Sequence, residues 1–411
     1  MKRSLIPLVA AALLCCALPA RPQTTGPQLP DGNGKEIVQA VCSQCHSLGN
    51  ITRSTGYTHE GWVNTVAMMR NAGAALPADQ VDTVVDYLTK NFPEKPAPPA
   101  VLIPGNVSVT IREWMVPTPG ARPHDPLAAP DGTIWFTGHM ANLLGHLDPK
   151  TGHITEYHPP IPNSGPHGLT FDRTGNIWYT GNFTAYIGKF DPRTATFTAY
   201  HLDPKARDPH TPLFDKNGIL WFTVQDADMV GRLDPVTGDI KLVNVPTPKA
   251  NPYGMVITSK GVPYFDEFGT NALASIDPQT MAVHEYPLPN PQSRPRRIAI
   301  TPDDVIYYSD YARGYLGRFD TKTGAISELP SPGGPQSRPY GMTYLKGAIW
   351  YSESAVKPNT IVRFDLATQK FQTWPIPSGG GVVRNMMPMT DGNGIAIACS
   401  GVNEVGLVTI K

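Results

Sequence analysis

The sequence has no surplus of either charge. Its 34 basic side chains stand against 34 acidic ones, and charged residues make up only 17% of its 411 positions. Without a basic excess nothing is available to neutralise a phosphate backbone, which excludes nucleic acid as a partner. A membrane-spanning run is also missing. The apolar stretch from Leu5 to Leu18 falls short of the roughly 20 residues a transmembrane helix needs, and no later segment reaches that length. Cysteine is scarce, with five in all, and Cys15 and Cys16 lie in that apolar stretch. The other three, Cys42, Cys45 and Cys399, are too few for a disulfide framework in a chain this long. Proline and glycine, by contrast, are plentiful. The 44 prolines and 38 glycines are too many for a mostly helical protein and too few for a low-complexity one.

Met1-Lys2-Arg3, the apolar run and Pro19-Ala20 follow the order of an export signal: basic, apolar, small. Residues 1–23 are therefore expected to be a signal peptide that directs the chain to the periplasm or outside the cell. Leu13-Leu14 before the first cysteine is a poor lipoprotein box, which favours soluble export over a lipid anchor. Removing the signal takes away Lys2, Arg3 and Arg21 and leaves 31 basic against 34 acidic residues.

Residues 42–46 read Cys-Ser-Gln-Cys-His, the c-type haem attachment signature. Two thiols separated by two residues reach the two vinyl groups of one porphyrin, and the adjacent His46 can present its imidazole to the iron. A zinc site would need a second cysteine or histidine pair, and only the distant Cys399 is left. A thioredoxin-like pair would need a βαβ context, and a plain disulfide would not require the histidine. The flanks read as helices. Gly34 to Val41 forms a short amphipathic stretch, Trp62, Val66 and Met69 fall at helical spacing, and Ala78 to Asn91 is periodic through Val81, Val84, Val85 and Leu88. This segment, residues 31–93, resembles a small all-α class I cytochrome c domain with its first and last helices crossing beside a covalently bound haem c. In related short cytochrome domains a methionine occupies the place of Met69, so the resemblance implies Met69 as sixth ligand. Met68, His59 or an open iron are the alternatives.

Residues 94–106 form a linker. Five prolines between Pro93 and Pro104 imply a semi-rigid extended spacer of roughly 3.1 Å per residue and a domain boundary. Beyond it the chain repeats. An aromatic residue recurs at Trp135, Trp178, Trp221, Tyr264, Tyr307 and Trp350, in steps of 43. The aspartate of a Gly-x-x-Asp turn recurs at Asp148, Asp191, Asp234, Asp277 and Asp320, again in steps of 43, and then at Asp365. Within one unit, Gly168 to Phe171, Asn176 to Thr180, Ile187 to Phe190 and Thr196 to Tyr200 read as four strands. Four strands per 43 residues is a propeller blade. The seventh unit stops before its outer strand, and Val109 to Val116 resembles the outer strands of the others. The N-terminal strand is thus expected to close the ring. The fold expected is mainly β, a seven-bladed propeller over residues 107–411 (six or eight blades being the alternatives) with the small all-α domain before it.

One residue per unit stands at the start of the innermost strand: His124, His167, His210, Tyr253, Arg296, Tyr340 and Arg384. In a propeller these side chains converge on the mouth of the central channel, as a ligand pocket or as the ordinary polar lining of a wet channel. The recurrent motifs Pro-His-Gly, Asp-Gly-x-Ile-Trp-Phe-Thr, Ile-Gly-x-x-Asp and Thr-Glu-Tyr resemble the streptogramin B (virginiamycin B) lyase family of seven-bladed propellers. The resemblance implies His210 as the catalytic base and His167 as the histidine contacting substrate. It also implies a divalent cation such as magnesium held near Asp208, in the run Asp208-Pro209-His210. The second carboxylate of that metal site does not match: Gln225 stands about where it should be, and a neutral amide binds a hard cation less well. The match also falls on the second and third blades, whereas the lyases use the last ones. Glu267, Asp310 and Glu353, after the aromatic strand, are candidates to pair with Arg296 and Arg384 or simply to form local ion pairs. Cys399 reads as a buried small hydrophobe.

Two functions follow from these motifs. The first is an exported monohaem electron-transfer protein with a redox partner protein, its propeller binding a small molecule or docking that partner. The second is a metal-dependent lyase that opens a cyclic depsipeptide or related ester, with a purely scaffolding propeller as the non-catalytic alternative.

Overall fold

The computed structural model describes residues 28–411, so the signal expected over 1–23 lies outside the described residues. Four helices come first: α1 (Lys35–Cys42), α2 (Gly49–Thr52), α3 (His59–Asn71) and α4 (Val81–Asn91). Thr58 caps α3 by accepting a hydrogen bond from the Gly61 amide. The periodic positions read from sequence form one core, in which Val38, Trp62, Val66, Val84, Val85 and Leu88 are all buried. α1 approaches α4 closely at Gly34, where a Cβ would stand 2.9 Å from the Thr83 carbonyl oxygen. Among the described residues no helix is long and apolar enough to cross a membrane.

Seven four-stranded antiparallel sheets follow. The second blade, for example, is built from Pro166–Phe171, Ile177–Gly181, Tyr186–Asp191 and Thr196–His201. The last blade has the strand order expected from its missing outer strand. Val109–Met115 pairs antiparallel with Glu404–Ile410, and the ring is closed by joining the two ends of the domain. Closure removes an exposed sheet edge.

The repeated motifs have local physical causes. In four blades the aromatic residue after the periodic tryptophan or tyrosine lies opposite a glycine of the next strand: Phe136 opposite Gly145, Tyr179 opposite Gly188, Phe222 opposite Gly231, Tyr308 opposite Gly317. A Cβ on those glycines would come within 1.9–2.5 Å of the ring carbons, so the pair works as knob and socket. The periodic aspartates form Asx turns. Asp148, Asp191 and Asp277 each accept from the backbone amide two residues on, at 2.9 Å in all three. The Pro-rich segment is more than a spacer. The Lys357 amide donates to the Pro98 carbonyl, and Thr373 exchanges backbone and side-chain bonds with Val101 and Ile103. It is pinned along the sixth blade, where Val101 and Ile103 pair with Thr373 of the outer strand.

Candidate functional site

In each blade the innermost strand carries a register break two or three residues into the strand, as between Pro166 and Leu169 or Pro209 and Pro212. The bulge turns the ring residue toward the channel. The threonine of the Trp-Phe-Thr strand holds it there. Thr137 donates to the His167 carbonyl (2.6 Å), Thr180 to that of His210 (2.9 Å) and Thr223 to that of Tyr253 (2.8 Å). Each of the first three blades thereby fixes the ring residue of the next.

The ring side chains stack on one another. Centroid separations are 3.6 Å for His124–His167, 3.9 Å for His167–His210 and 3.8 Å for His210–Tyr253. The Tyr253 and Tyr340 hydroxyls are hydrogen-bonded across the channel. His210 is 1% exposed and Tyr340 0%, so this part of the ring plugs the channel instead of lining an open pocket. Burial pushes His124, His167 and His210 well below the usual histidine range, with neighbouring histidines and guanidiniums adding to the effect. His210 Nδ1 lies 3.0 Å from the Thr211 hydroxyl. His167 Nδ1 is buried and has no partner among the described residues.

Beneath the plug lies an ion pair that the motifs did not reveal. Arg297, buried, reaches Asp125 at 2.8 Å, and Asp125 also meets His124 Nδ1 at 2.8 Å. The same guanidinium contacts the Thr211 hydroxyl and the Arg384 carbonyl at 3.3 Å each, so it ties four blades together across the axis. His124, Asp125 and His167 are the one cluster among the described residues whose ligand atoms converge as a metal site would require. Arg297 already occupies the Asp125 carboxylate, and a divalent cation there would face a buried guanidinium.

Above the plug the mouth is a shallow bowl. Its wall includes a second set of residues spaced by 43: His139, Asn182, Gln225, Phe268 and Tyr311, at the ends of the aromatic strands. Arg122 and Asp208 occupy equivalent positions two residues before the ring. Arg296 lies against four aromatic faces, with Tyr340 at 4.1 Å, Tyr311 at 4.4 Å, Phe268 at 4.6 Å and Tyr253 at 5.4 Å. On the other side Asn182 joins His139 Nε2 (3.1 Å) to the Asp208 carboxylate. Burial, with Asp226 nearby, pushes Asp208 up to about 7. Gln225 meets Asp208 through its backbone amide, which donates to the Asp208 carbonyl at 2.8 Å. Asp208 is already bonded to the Asn182 amide, and Gln225 beside it offers a hard cation a neutral amide where a second carboxylate would bind it better.

The acidic residues after the aromatic strands do not pair with Arg296 or Arg384. Glu267 is bonded to Thr270 at 2.6 Å, Asp310 to Arg313 at 3.0 Å, and Glu353 to Ser331 at 2.6 Å and Thr360 at 2.8 Å. Strand alternation sends them away from the channel, where they anchor loops. Cys399 is fully buried in the core of the last blade.

The helical module docks at the rim of this bowl. Asn64 donates to the Gly401 carbonyl (3.0 Å), and Asn71 to those of Pro119 (2.9 Å) and Gly120 (3.2 Å). Cys42 and Cys45 are free thiols at and just beyond the end of α1; Cys42 is half-buried and Cys45 exposed. His46 Nδ1 lies 3.2 Å from the Ser47 carbonyl, which leaves Nε2 available as a ligand. Met69 is half-buried on α3, while Met68 lies on the face that packs against Gly120. His59 is on the surface, 3.9 Å from Asp86.

Comparison with known proteins bears on the propeller. A virginiamycin B lyase from Staphylococcus aureus is 24% identical and superposes with a TM-score of 0.67, over 74% of this chain and 99% of that one. A streptogramin B lyase is 26% identical with a TM-score of 0.68, covering 74% and 98%. Hydrazine synthase of Kuenenia stuttgartiensis shares the fold at 14% identity and a TM-score of 0.60, covering 70% and 96%. No protein with a curated description matches. The profile of the virginiamycin B lyase family matches residues 105–364, and the chain belongs to that family.

Proposed function

We propose that this protein is an exported monohaem c-type cytochrome fused to a family propeller, coupling electron transfer to ligand binding at the channel mouth. The observation that carries this reading is Cys42-Ser43-Gln44-Cys45-His46 at the end of α1, with both thiols free and His46 Nε2 unengaged. The residues fit a haem: Cys42 and Cys45 would hold it by thioethers and His46 and Met69 would ligate its iron. The group would supply one-electron chemistry. α3 carries Met69 on the helix whose other face touches the propeller rim through Asn64 and Asn71. A redox partner protein would reach the module from the side away from that rim. A pyridine haemochrome spectrum of chain produced with the cytochrome maturation machinery tests the reading. A covalent haem c signal lost in Cys42→Ala/Cys45→Ala is the expected result, and its absence in the natural chain refutes it.

Family membership favours a second reading, a carbon–oxygen lyase with His210 as base and His167 contacting substrate. The geometry weighs against it. His210 is packed between His167 and Tyr253, and near Asp208 the place of a second carboxylate is held by the neutral Gln225. Linear product from a cyclic depsipeptide lactone, abolished in His210→Ala, would support the lyase.

A further inference from the structure

The bowl at the channel mouth is strongly asymmetric in charge. Arg122, Arg296 and Arg384 face it from the first, fifth and seventh blades, with Arg297 just below. Among the described residues only Arg297 of these four carries a carboxylate partner. The other three are served by neutral groups. Arg122 lies 3.5 Å from His139 Nδ1 and 3.6 Å from the Met140 sulfur, and Arg384 Nε donates to the Ser400 hydroxyl at 2.8 Å. Arg296 sits in its aromatic cage with the Tyr253 hydroxyl nearby, and its Nε is buried with no hydrogen-bond partner. His167 Nδ1, 4% exposed as a residue and in the plug at the base of the bowl, is likewise unpartnered. Buried donors around converging cations are costly unless something accepts from them.

We propose that this bowl binds the oxyanion of a small-molecule ligand, a carboxylate or a phosphate ester, between Arg296, Arg384 and Arg122. Guanidiniums present planar forks that match such oxyanions, and three of them without acidic partners form an anion site, not a cation site. The partly exposed Phe268 and Tyr311 beside Arg296 suit a ligand with an aromatic or apolar body behind the anion. The mutual repulsion is visible in Arg122, held down to about 9 by Arg384 first and by burial second. Although burial pushes Tyr340 up, the guanidiniums of Arg296, Arg384 and Arg297 outweigh it and hold the phenol below its ordinary value. Asp208 and Asp226, on the third blade, would meet the other end of the ligand. This inference rests on the reading of the bowl as a ligand site but not on the haem.

Calorimetric titration of the full chain with benzoate, phenyl phosphate and neutral benzamide tests it. One of the two anions should bind at least about tenfold more tightly than benzamide, and which one does identifies the carboxylate or phosphate class. Arg296→Gln and Arg384→Gln should each weaken the preferred anion roughly ten- to a hundredfold, while Arg193→Gln, on an exposed turn, should leave it unchanged. Arg384→Lys, which keeps charge and fold, should retain part of the affinity and so separates lost recognition from misfolding. Equal binding of benzoate, phenyl phosphate and benzamide, or unchanged anion affinity in both glutamine variants, overturns the proposal. Haem absorbance recorded on the same samples reports on the electron-transfer reading independently.

Discussion

Removing Asp125 while leaving Arg297 should be among the most damaging single changes in the propeller. Both side chains are buried, their contact is 2.8 Å, and Arg297 also holds Thr211 and the Arg384 carbonyl. Asp125→Leu would strand a guanidinium on the axis, at a cost of about 3–5 kcal/mol for an uncompensated buried charge. For a domain of about 300 residues, whose unfolding entropy is near 2.1 cal/mol/K per residue, that corresponds to a fall in Tm of about 5–8 °C. Arg297→Met replaces the cation with an apolar stem of similar reach and should cost a comparable amount, by stranding Asp125. The double variant removes both charges, and the hydrophobic pair fills the axis. It should therefore be no less stable than either single variant, giving a coupling energy of several kcal/mol. Chemical denaturation of the four proteins closes the cycle. A cost below about 1 kcal/mol for Asp125→Leu, or a double variant as bad as the sum of the singles, would show that water or chain movement relieves the charge. The claim that Arg297 ties the blades together through an ion pair would then be wrong.

Four further outcomes are expected. His124, His139, His167 and His210 all have folded-state pKa values depressed chiefly by burial, so the unfolded chain binds more protons below about pH 6.5 and stability falls as pH drops from there. Thermal melts between pH 7 and 5 should show that fall, with a shallower slope in His139→Gln; a flat profile counts against a neutral plug. Asp208 and Glu267, both pushed up to about 7 mainly by burial, act in the opposite sense, since stability from a raised carboxyl is lost as pH rises toward 7. Glu267→Gln should therefore remove a stability loss seen between pH 5 and 7.5, and no change in that interval would contradict its burial as a neutral acid. Gly120 has φ +67°, and a Cβ there would stand 2.4 Å from the Met68 backbone nitrogen, so Gly120→Val should release the helical module from the rim and speed proteolysis of the linker without lowering the propeller's own melting transition. In haem-loaded protein, Met69→Ala should lower the reduction potential and Met68→Ala should leave it nearly unchanged; the reverse order would reassign the ligand.

Much of the architecture was legible because a repeat encodes each local solution seven times. The 43-residue step, the glycine opposite the aromatic in four blades and the Asx aspartates are one blade's physics restated, and the missing last strand pointed to closure by Val109–Met115. The positions of the ring were legible for the same reason. What repeats do not encode is contact across the axis. Arg297 and Asp125 are 172 residues apart, and each merely follows a ring residue, so only the closed geometry joins them. The wall residues His139, Asn182, Gln225, Phe268 and Tyr311 did carry a signal, the same 43-residue step, but their side chains differ in every blade and only the position repeats. The stacking of histidines into a plug was not readable either, because a polar residue at a channel mouth is compatible with both a wet lining and a closed stack.

That variation in side chain at constant position is where this propeller departs chemically from what its family resemblance implied. The acidic-Pro-His run survives on the third blade as Asp208-Pro209-His210, yet its carboxyl is half-buried and tied to Asn182, with Gln225 and not a second acid beside it. Opposite, the equivalent ring positions hold Arg296 and Arg384, and Arg122 stands where the third blade has Asp208. A mouth built to hold a dication needs converging carboxylates; one with three guanidiniums lacking acidic partners attracts the opposite charge. The scaffold fixes where side chains meet through the bulge, which recurs in all seven blades whatever the ring residue is. The charge carried at the mouth is therefore free to change without altering the fold.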